Sequence, residues 1–415
     1  MPRSRVVIVG SGWAGATLCS TLSDVKYSIT VVSPETTTPY TPLLASAAAG
    51  LYDFSLVETP IRHTKKNIKF IKARVEAVDF GSKTCRCAPY FDDLGLESFE
   101  LGYDHLILAP GCTNQTFGTP GVAEHALFVR NARDAERVAA KVNDCFEKAS
   151  TPGLSEQRRR DLLHFVVVGG GPTGVEISSE LSDLFKADYA KLYPHLRGRA
   201  TIALHDVAPN ILPSFDKKLR DYAMGSFAKG GVEVLTGSHI VRVEEGSIET
   251  KEAGRRGVGA VIWATGNKSV ELVEKLGVRK TPKVSRILTD DFLRVLKAEG
   301  EEGTVEGVYA LGDAADIQDQ SLPTTAEVAC QKGNWLAKSF NKGFEGPFVY
   351  QQTPIVAYLG QNDGVIHGKR DYTGAQAWMA WRSKNFLWTR TWRQKILIVL
   401  TWLLNLLLGR YNAPA

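Results

Sequence analysis

The chain has 415 residues, 44% of them apolar, and a formal net charge of only +5. That length calls for two or three domains of ordinary size, and that composition supplies a full hydrophobic core. The small net charge argues against nucleic acid or another polyanion as partner. The six cysteines, with no CxxC pair and no Cys/His cluster, argue against a metal site or a disulfide framework.

Residues 5–9 (RVVIV) form a short apolar run of the kind a buried parallel strand uses. The run starts about four residues after Met1, leaving no room for a signal or transit peptide ahead of it. It leads into Gly10-Ser11-Gly12-Trp13-Ala14-Gly15, a helical pattern to about residue 23, and a second strand at 27–32. In such a unit the first glycine permits a sharp turn and the second lets backbone approach a pyrophosphate. The third lets helix and strand pack closely. Strands at 69–79 and 105–109 extend the same domain. Cys85 and Cys87, two apart on a strand, point the same way as reduced, buried thiols. Residues 150–160 (STPGLSEQRRR) read as a polar linker.

The pattern then returns. A strand at 165–168 runs into Gly169-Gly170-Gly171-Pro172-Thr173-Gly174-Val175-Glu176, a long helical stretch through 181–195, and a strand at 200–204 ending at His205-Asp206. Two such units roughly 160 residues apart are a duplication of domains, so one chain binds two dinucleotides. Each helix start offers free N–H groups to phosphate. Strands at 233–243 and 260–264 belong to the second unit. Residues 308–311 are another buried strand, ending in Gly312-Asp313. The chain thus leaves the first fold, builds the second and returns. The expected class is α/β: two nested Rossmann-like dinucleotide-binding domains plus a C-terminal amphipathic region. The expected division is 1–160 and 286–345 for the first nucleotide, 161–285 for the second, and 346–415 for the tail.

An acid at the end of the second strand holds the adenosine ribose. Asp206 is that acid in the second unit, and its charge repels a 2′-phosphate, favouring NADH. The first unit has Ser33 there, followed by Pro34 and Glu35, which leaves the ribose contact open among the three. The strands ending in Ala109-Pro110-Gly111 and Ala264-Thr265-Gly266 resemble the turns that close each site in flavoproteins binding two dinucleotides. Gly312-Asp313 suits a ribityl or pyrophosphate contact on FAD.

The tail is distinct. From Lys369 to Arg410 there are eight basic residues and one acid, Asp371. Residues 396–408 are apolar except Thr401 and Asn405, too short to span a bilayer, which takes about 20 residues. Trp378, Trp381, Trp388, Trp392 and Trp402 suit the headgroup level, and the flanking bases suit anionic lipid. Residues 376–410 are therefore expected to attach to a membrane surface, with a core helix or dimer contact as the plainer reading.

These residues together resemble the type II (alternative, rotenone-insensitive) NADH:quinone oxidoreductases, in particular the fungal mitochondrial branch. The resemblance runs over nearly the whole chain: VVIVGSGWAG, TPLLASAAAG, FGTPGV, FVVVGGGPTGVE, VIWATGNK, and YALGDAAD followed by LPTTAEVACQKGNWLA. It implies FAD at Gly10, Gly12, Trp13, Ala14, Gly15, Ser33, Pro34, Thr41, Val75, Ala109, Gly111, Gly312 and Asp313. It implies NADH at Gly171, Pro172, Thr173, Gly174, Asp206, Ala264, Thr265 and Gly266. Hydride would pass from NADH to flavin N5, and then two electrons to a membrane quinone, ubiquinone by the branch. Where the family has AQxAxQQ near flavin and quinone, this chain has Gln331 in place but Glu327 for a glutamine. Glu176 is implied to position nicotinamide or act on the quinone side; its plainer role is to stabilise the helix start. A homodimer peripheral to the mitochondrial inner membrane is also implied. The competing readings are an apoptosis-inducing-factor-like reductase, a sulfide:quinone oxidoreductase using Cys112 and Cys330, and a flavoprotein NAD sensor without turnover.

Overall fold

Residues 3–410 are described by the computed structural model; the expected 1–160 and 346–415 segments extend into residues 1–2 and 411–415, which lie outside it. The chain forms two compact units, one from Met1–Pro39, Thr59–Thr113 and Asn267–Gln352, the other from Tyr40–Glu58, Asn114–Gly266 and Thr353–Ala415.

In the first unit the RVVIV run is the centre of a ten-stranded sheet. The Ser4–Val9 strand pairs in parallel with Tyr27–Ser33 on one side and His105–Leu108 on the other. The returning Thr304–Ala310 strand adds in parallel to His105–Leu108, so the chain comes back to the first unit over Asn267–Gln352. Side chains alternate across a strand. Val6 and Ile8 enter one core with the Trp13–Thr21 and Ala326–Lys342 helices. Val7 and Val9 enter the other, with Cys85 and Cys87. Both cysteines are fully buried and free, and burial pushes both thiols up to about 12.

The second unit holds a four-stranded parallel sheet in the order Val232–Thr236, Thr201–Asp206, His164–Val168, Ala260–Trp263. The expected strand at 233–243 is two: Val232–Thr236 in this sheet and Ile240–Glu244 in a separate antiparallel sheet, parted by a turn through Gly237 at φ +62°. The expected linker also contains structure. Its Ser155 side chain caps a Glu156–Leu162 helix by accepting from Arg158 N at 3.2 Å, an N-cap signal hidden among polar residues. The long stretch after Glu176 is helical to Asp183 and continues as a π-turn over Leu184–Tyr189.

The tail closes this unit. Strands Ile355–Gly360, Asp363–His367 and Tyr372–Thr373 precede helices Ala375–Leu387 and Trp392–Leu408. The last helix starts at a capping box of Thr391 and Gln394. Among the described residues no helix is long and apolar enough to cross a membrane.

Candidate active site

Both glycine turns show the division of labour that their spacing predicts. At Gly10, φ is +103° and an added Cβ would lie 2.1 Å from the Ala109 carbonyl oxygen. At Gly15 it would lie 2.1 Å from the Gly10 oxygen. Gly12 alone has open space, with nothing within 4 Å of that position. The second turn repeats this. Gly169 has φ +117°, Gly174 would place a Cβ 1.9 Å from the Gly169 oxygen, and Gly171 again faces open space. The first and last glycines of each turn, and Gly170 in the second, serve the fold; Gly12 and Gly171 leave a cradle beside a helix start that has no side-chain cap and no acid in its first turn. A diphosphate fits that arrangement.

Around the first turn, Gly312 and Gly333 pack closely on Ala14: a Cβ on Gly312 would meet the Ala14 Cβ at 3.1 Å, and one on Gly333 would meet the Ala14 carbonyl at 2.9 Å. This brings Gly312-Asp313 and the Ala326–Lys342 helix onto the turn. Ser33 is 4% exposed. Its hydroxyl lies 2.9 Å from Ser11 Oγ and accepts from Glu35 N at 3.2 Å. Ser33 thus holds the loop, Pro34 is half-buried and Glu35 is exposed. Val75 is 4% exposed and packs in the core, so only its backbone is available to a ligand. Ala109 is buried and hydrogen-bonded to Val9, and Gly111 has φ +73° with open space beside it. Thr41 is exposed and lies in the other unit, in the Thr41–Leu43 turn.

Asp313 is fixed by Arg286, which sequence reasoning missed. Its Nε donates to the Asp313 carbonyl at 3.2 Å, Nη2 to the Ala315 carbonyl at 2.8 Å, and Nη1 to Asp316 Oδ2 at 2.9 Å. No local pattern marks Arg286, since its partners lie some 30 residues on. Lys332, also missed, is fully buried with no hydrogen-bond partner for Nζ, and burial lowers it to about 8.

Glu327 and Gln331 stand one turn apart on the Ala326–Lys342 helix. Gln331 Nε2 donates to Glu327 Oε1 at 2.8 Å and to the Gln351 carbonyl at 2.9 Å, while its Oε1 accepts from Gln351 N at 2.9 Å. Gln331 is therefore held at both ends of its amide, and the second oxygen of Glu327 is the acceptor left. Cys112 donates to Asp313 Oδ2 at 3.3 Å and Cys330 lies 3.4 Å from Thr17 Oγ1; neither is in a disulfide.

In the second unit, Asp206 accepts from Gly170 N and, at 2.7 Å, from Ala208 N, pinning the glycine turn to the next strand. Ala264 N donates to the Val168 carbonyl at 2.8 Å, and Thr265 Oγ1 to the Gln115 carbonyl at 3.1 Å. Gly266, at φ +40°, is held against Gln115. Pro172 and Thr173 are exposed at the helix start.

Glu176, in the second turn of that helix, does not bond its N–H groups. Its Oε1 accepts from Trp381 Nε1 at 2.9 Å. Trp381 is 6% exposed and stacks on Tyr358 with centroids 4.9 Å apart, so of the five tail tryptophans this one is a buried partner of Glu176 and not a headgroup-level side chain. Burial pushes the Glu176 carboxyl up to about 8; the Trp381 bond, a Tyr358 backbone bond and Lys384 lower it, and Glu180 raises it. Elsewhere, Asp216, His367 and Asp371 bring three possible metal ligands within 4.8 Å of one another. Their bonds to each other and to neighbouring backbone give them a structural role.

A family model for pyridine nucleotide-disulphide oxidoreductases matches residues 4–333, and the chain belongs to that family. It is 32% identical over 416 residues to a probable NADH dehydrogenase of Dictyostelium discoideum, covering 98% of this chain and 90% of that protein. It is 33% identical over 445 residues to the internal alternative NAD(P)H-ubiquinone oxidoreductase A1, mitochondrial, of Solanum tuberosum, covering 98% and 87%. Within the family it is a type II NADH:quinone oxidoreductase. It spans 56% of the length of the external alternative enzyme B3 of Arabidopsis thaliana, at 38% identity. The fold is also that of NDH2 from Plasmodium falciparum in complex with NADH, with a TM-score of 0.91 at 22% identity, covering 99% of this chain and 100% of that one.

Ala at Gly12 and Ala at Gly15 separate the two glycine roles. Gly12→Ala should fold with unchanged thermal midpoint but lose most bound flavin, read from the ratio of flavin to protein absorbance. Gly15→Ala should lower the midpoint itself, since overpacking against backbone costs about 1–3 kcal/mol or more.

Proposed function

We propose that this protein oxidises NADH through a bound FAD and reduces a membrane quinone, ubiquinone by its relatives' names, without pumping protons. The observation that carries the reading is the pair of complete glycine turns, each with its middle glycine open. The first would hold FAD, with Gly10–Gly15, Glu35, Gly111 and Gly312-Asp313 around it. The second would hold NADH, with Gly171–Gly174, Asp206 and Ala264–Gly266. FAD supplies the two-electron chemistry, taking hydride from NADH and passing electrons to quinone. The protein's part is placement and a proton. NADH, one proton and quinone give NAD⁺ and quinol, so one proton must come from outside the nucleotide. Glu176 is the acid that still holds a proton at neutral pH, and Glu327, with Gln331 as its strap, is the acceptor for the quinone side.

The membrane part rests on the Trp392–Leu408 helix. Its exposed face is apolar: Ile396, Leu400, Leu403 and Leu404 are 47–58% exposed, and Leu406, Leu407 and Leu408 are 77–82%. Three of its polar side chains, Gln394, Trp402 and Asn405, reach the Leu51–Glu58 stretch. Gln394 donates to the Leu56 carbonyl at 3.2 Å and Asn405 to the Leu51 carbonyl at 3.1 Å, while Trp402 Nε1 bonds the Tyr52 hydroxyl. A broad apolar face of this kind marks a surface that is covered in use. We place the protein in mitochondria, peripheral to the inner membrane; a homodimer through the same face is the other way to cover it.

Purified protein should oxidise NADH rapidly with a short-chain quinone, and NADPH and sulfide slowly; equal sulfide turnover would reject the reading. Quinone reduction should decline as pH rises through about 8, where Glu176 loses its proton, and Glu176→Gln should be slow and lack that limb. In a vesicle sedimentation assay, the double variant Leu403→Glu/Leu407→Glu should keep its flavin but stay in the supernatant. Continued pelleting with vesicles would reject the membrane face.

A further inference from the structure

The Pro172–Asp183 helix carries a second acid, Glu180, one turn beyond Glu176. Glu180 is 1% exposed, and a buried carboxylate stays ionised only when a cation and hydrogen bonds hold it. Ser46 Oγ donates to its Oε1 at 2.6 Å. The cation is Arg410, whose Nη2 lies 3.6 Å from Glu180 Oε2. Arg410 is itself fixed: Nη1 donates to the Ala49 carbonyl at 3.1 Å, Nε lies 3.3 Å from Asp188 Oδ2, and its backbone N donates to Asp188 Oδ1 at 3.3 Å. Arg410 follows Gly409 at the end of the Trp392–Leu408 helix.

The groups facing the two glutamates come from every neighbouring element. Burial raises the Glu180 carboxyl above the usual carboxylate range; Arg410 and the Ser46 hydrogen bond oppose this, Asp183, from their own helix, adds to it, and Arg382, from Ala375–Leu387, opposes it. Trp381 and Lys384, from the same Ala375–Leu387 helix, and the Tyr358 backbone act on Glu176. Tyr52 lies among Glu180, Arg382 and Arg410, and the Tyr358 hydroxyl donates to Asp183 Oδ2 at 2.5 Å.

We propose that Arg410 is a positioning residue for the quinone half-reaction: against the burial of Glu180 it favours that carboxyl's ionised form, and negative charge on Glu180 holds the proton on Glu176. The inference rests on the proton-donating role given to Glu176 above. A like charge one helical turn away disfavours the ionised form of Glu176. Without Arg410, Glu180 takes up a proton rather than remain a bare buried charge, and its hold on Glu176 is lost. The readiness of the proton donor is thereby tied to the seating of the helix whose outer face is apolar. Nothing in the local sequence of either partner marks the pair, which is 230 residues apart.

The test uses the flavin-loaded full chain. Enzyme is reduced with one equivalent of NADH and mixed with a short-chain quinone across a pH series, and flavin reoxidation is followed by absorbance. Glu180→Gln should move the alkaline limb to lower pH by at least about half a unit. Arg410→Gln should move it the same way by less, because the cation is lost along with the charge it sustains. The double variant should match Arg410→Gln, and Arg410→Lys should restore the wild-type limb. Flavin content guards each variant against misfolding. If Glu176→Gln keeps the limb, the proton role of Glu176 fails. If Glu176→Gln removes the limb but Glu180→Gln superimposes on wild type, or Arg410→Gln moves it upward or not at all, the coupling proposed here is overturned.

Discussion

Both nucleotide-binding halves depend on one close approach: the carbonyl of the first glycine lies directly beneath the third. A methyl group at Gly15 or Gly174 would lie 2.1 Å or 1.9 Å from that oxygen, far inside van der Waals contact. This contact lets the helix start at the strand's end, and with the helix so placed its free N–H groups point at the space beside the middle glycine. The alternation of Val6 and Ile8 with Val7 and Val9 then buries the strand on both faces, so the turn is held by two cores at once. In the second unit Asp206 adds a carboxylate tie to Gly170. The same acid that suits a ribose therefore also stiffens the loop that would carry the phosphates.

What could be read from the sequence follows from that contact. Turn, strand and helix signals lie within about 30 residues of each other in a βαβ unit, so both glycine turns, their strands and the return at Gly312-Asp313 were legible. So was the C-terminal helix, since thirteen residues with two polar ones form a local pattern. The residues that escaped are those defined by distant partners. Arg286 meets Asp316, Trp381 meets Glu176 across 205 positions, and Arg410 meets Glu180. Trp381 misled because a tryptophan near an apolar run has the same local signature at a headgroup layer as in a buried contact. The Glu156–Leu162 helix was hidden by its own polarity, because only its Ser155 cap distinguishes it from a linker.

The tail helix shows how an apparently amphipathic pattern can be turned inside out. Its Gln394 and Asn405 side chains bind backbone carbonyls of the Tyr40–Glu58 stretch, and most of its leucines face outward. Buried polar groups need partners, and here the carbonyls of that stretch provide them. The arrangement gives register to a helix that hydrophobic burial alone would hold only loosely, and it places Arg410 beside the acids of the Pro172–Asp183 helix. The charge environment of Glu176 is thus assembled from the glycine-turn helix, the Ile355–Gly360 strand and the Ala375–Leu387 helix.

The central claim is that one chain carries hydride from NADH to a flavin and then electrons to quinone. An anaerobic titration of the purified flavoprotein tests it most directly. The account predicts that one equivalent of NADH bleaches the flavin band and that a short-chain quinone restores it within a turnover time. A flavin that NADH leaves oxidised, or one that NADH bleaches but quinone does not restore faster than buffer alone, would contradict it.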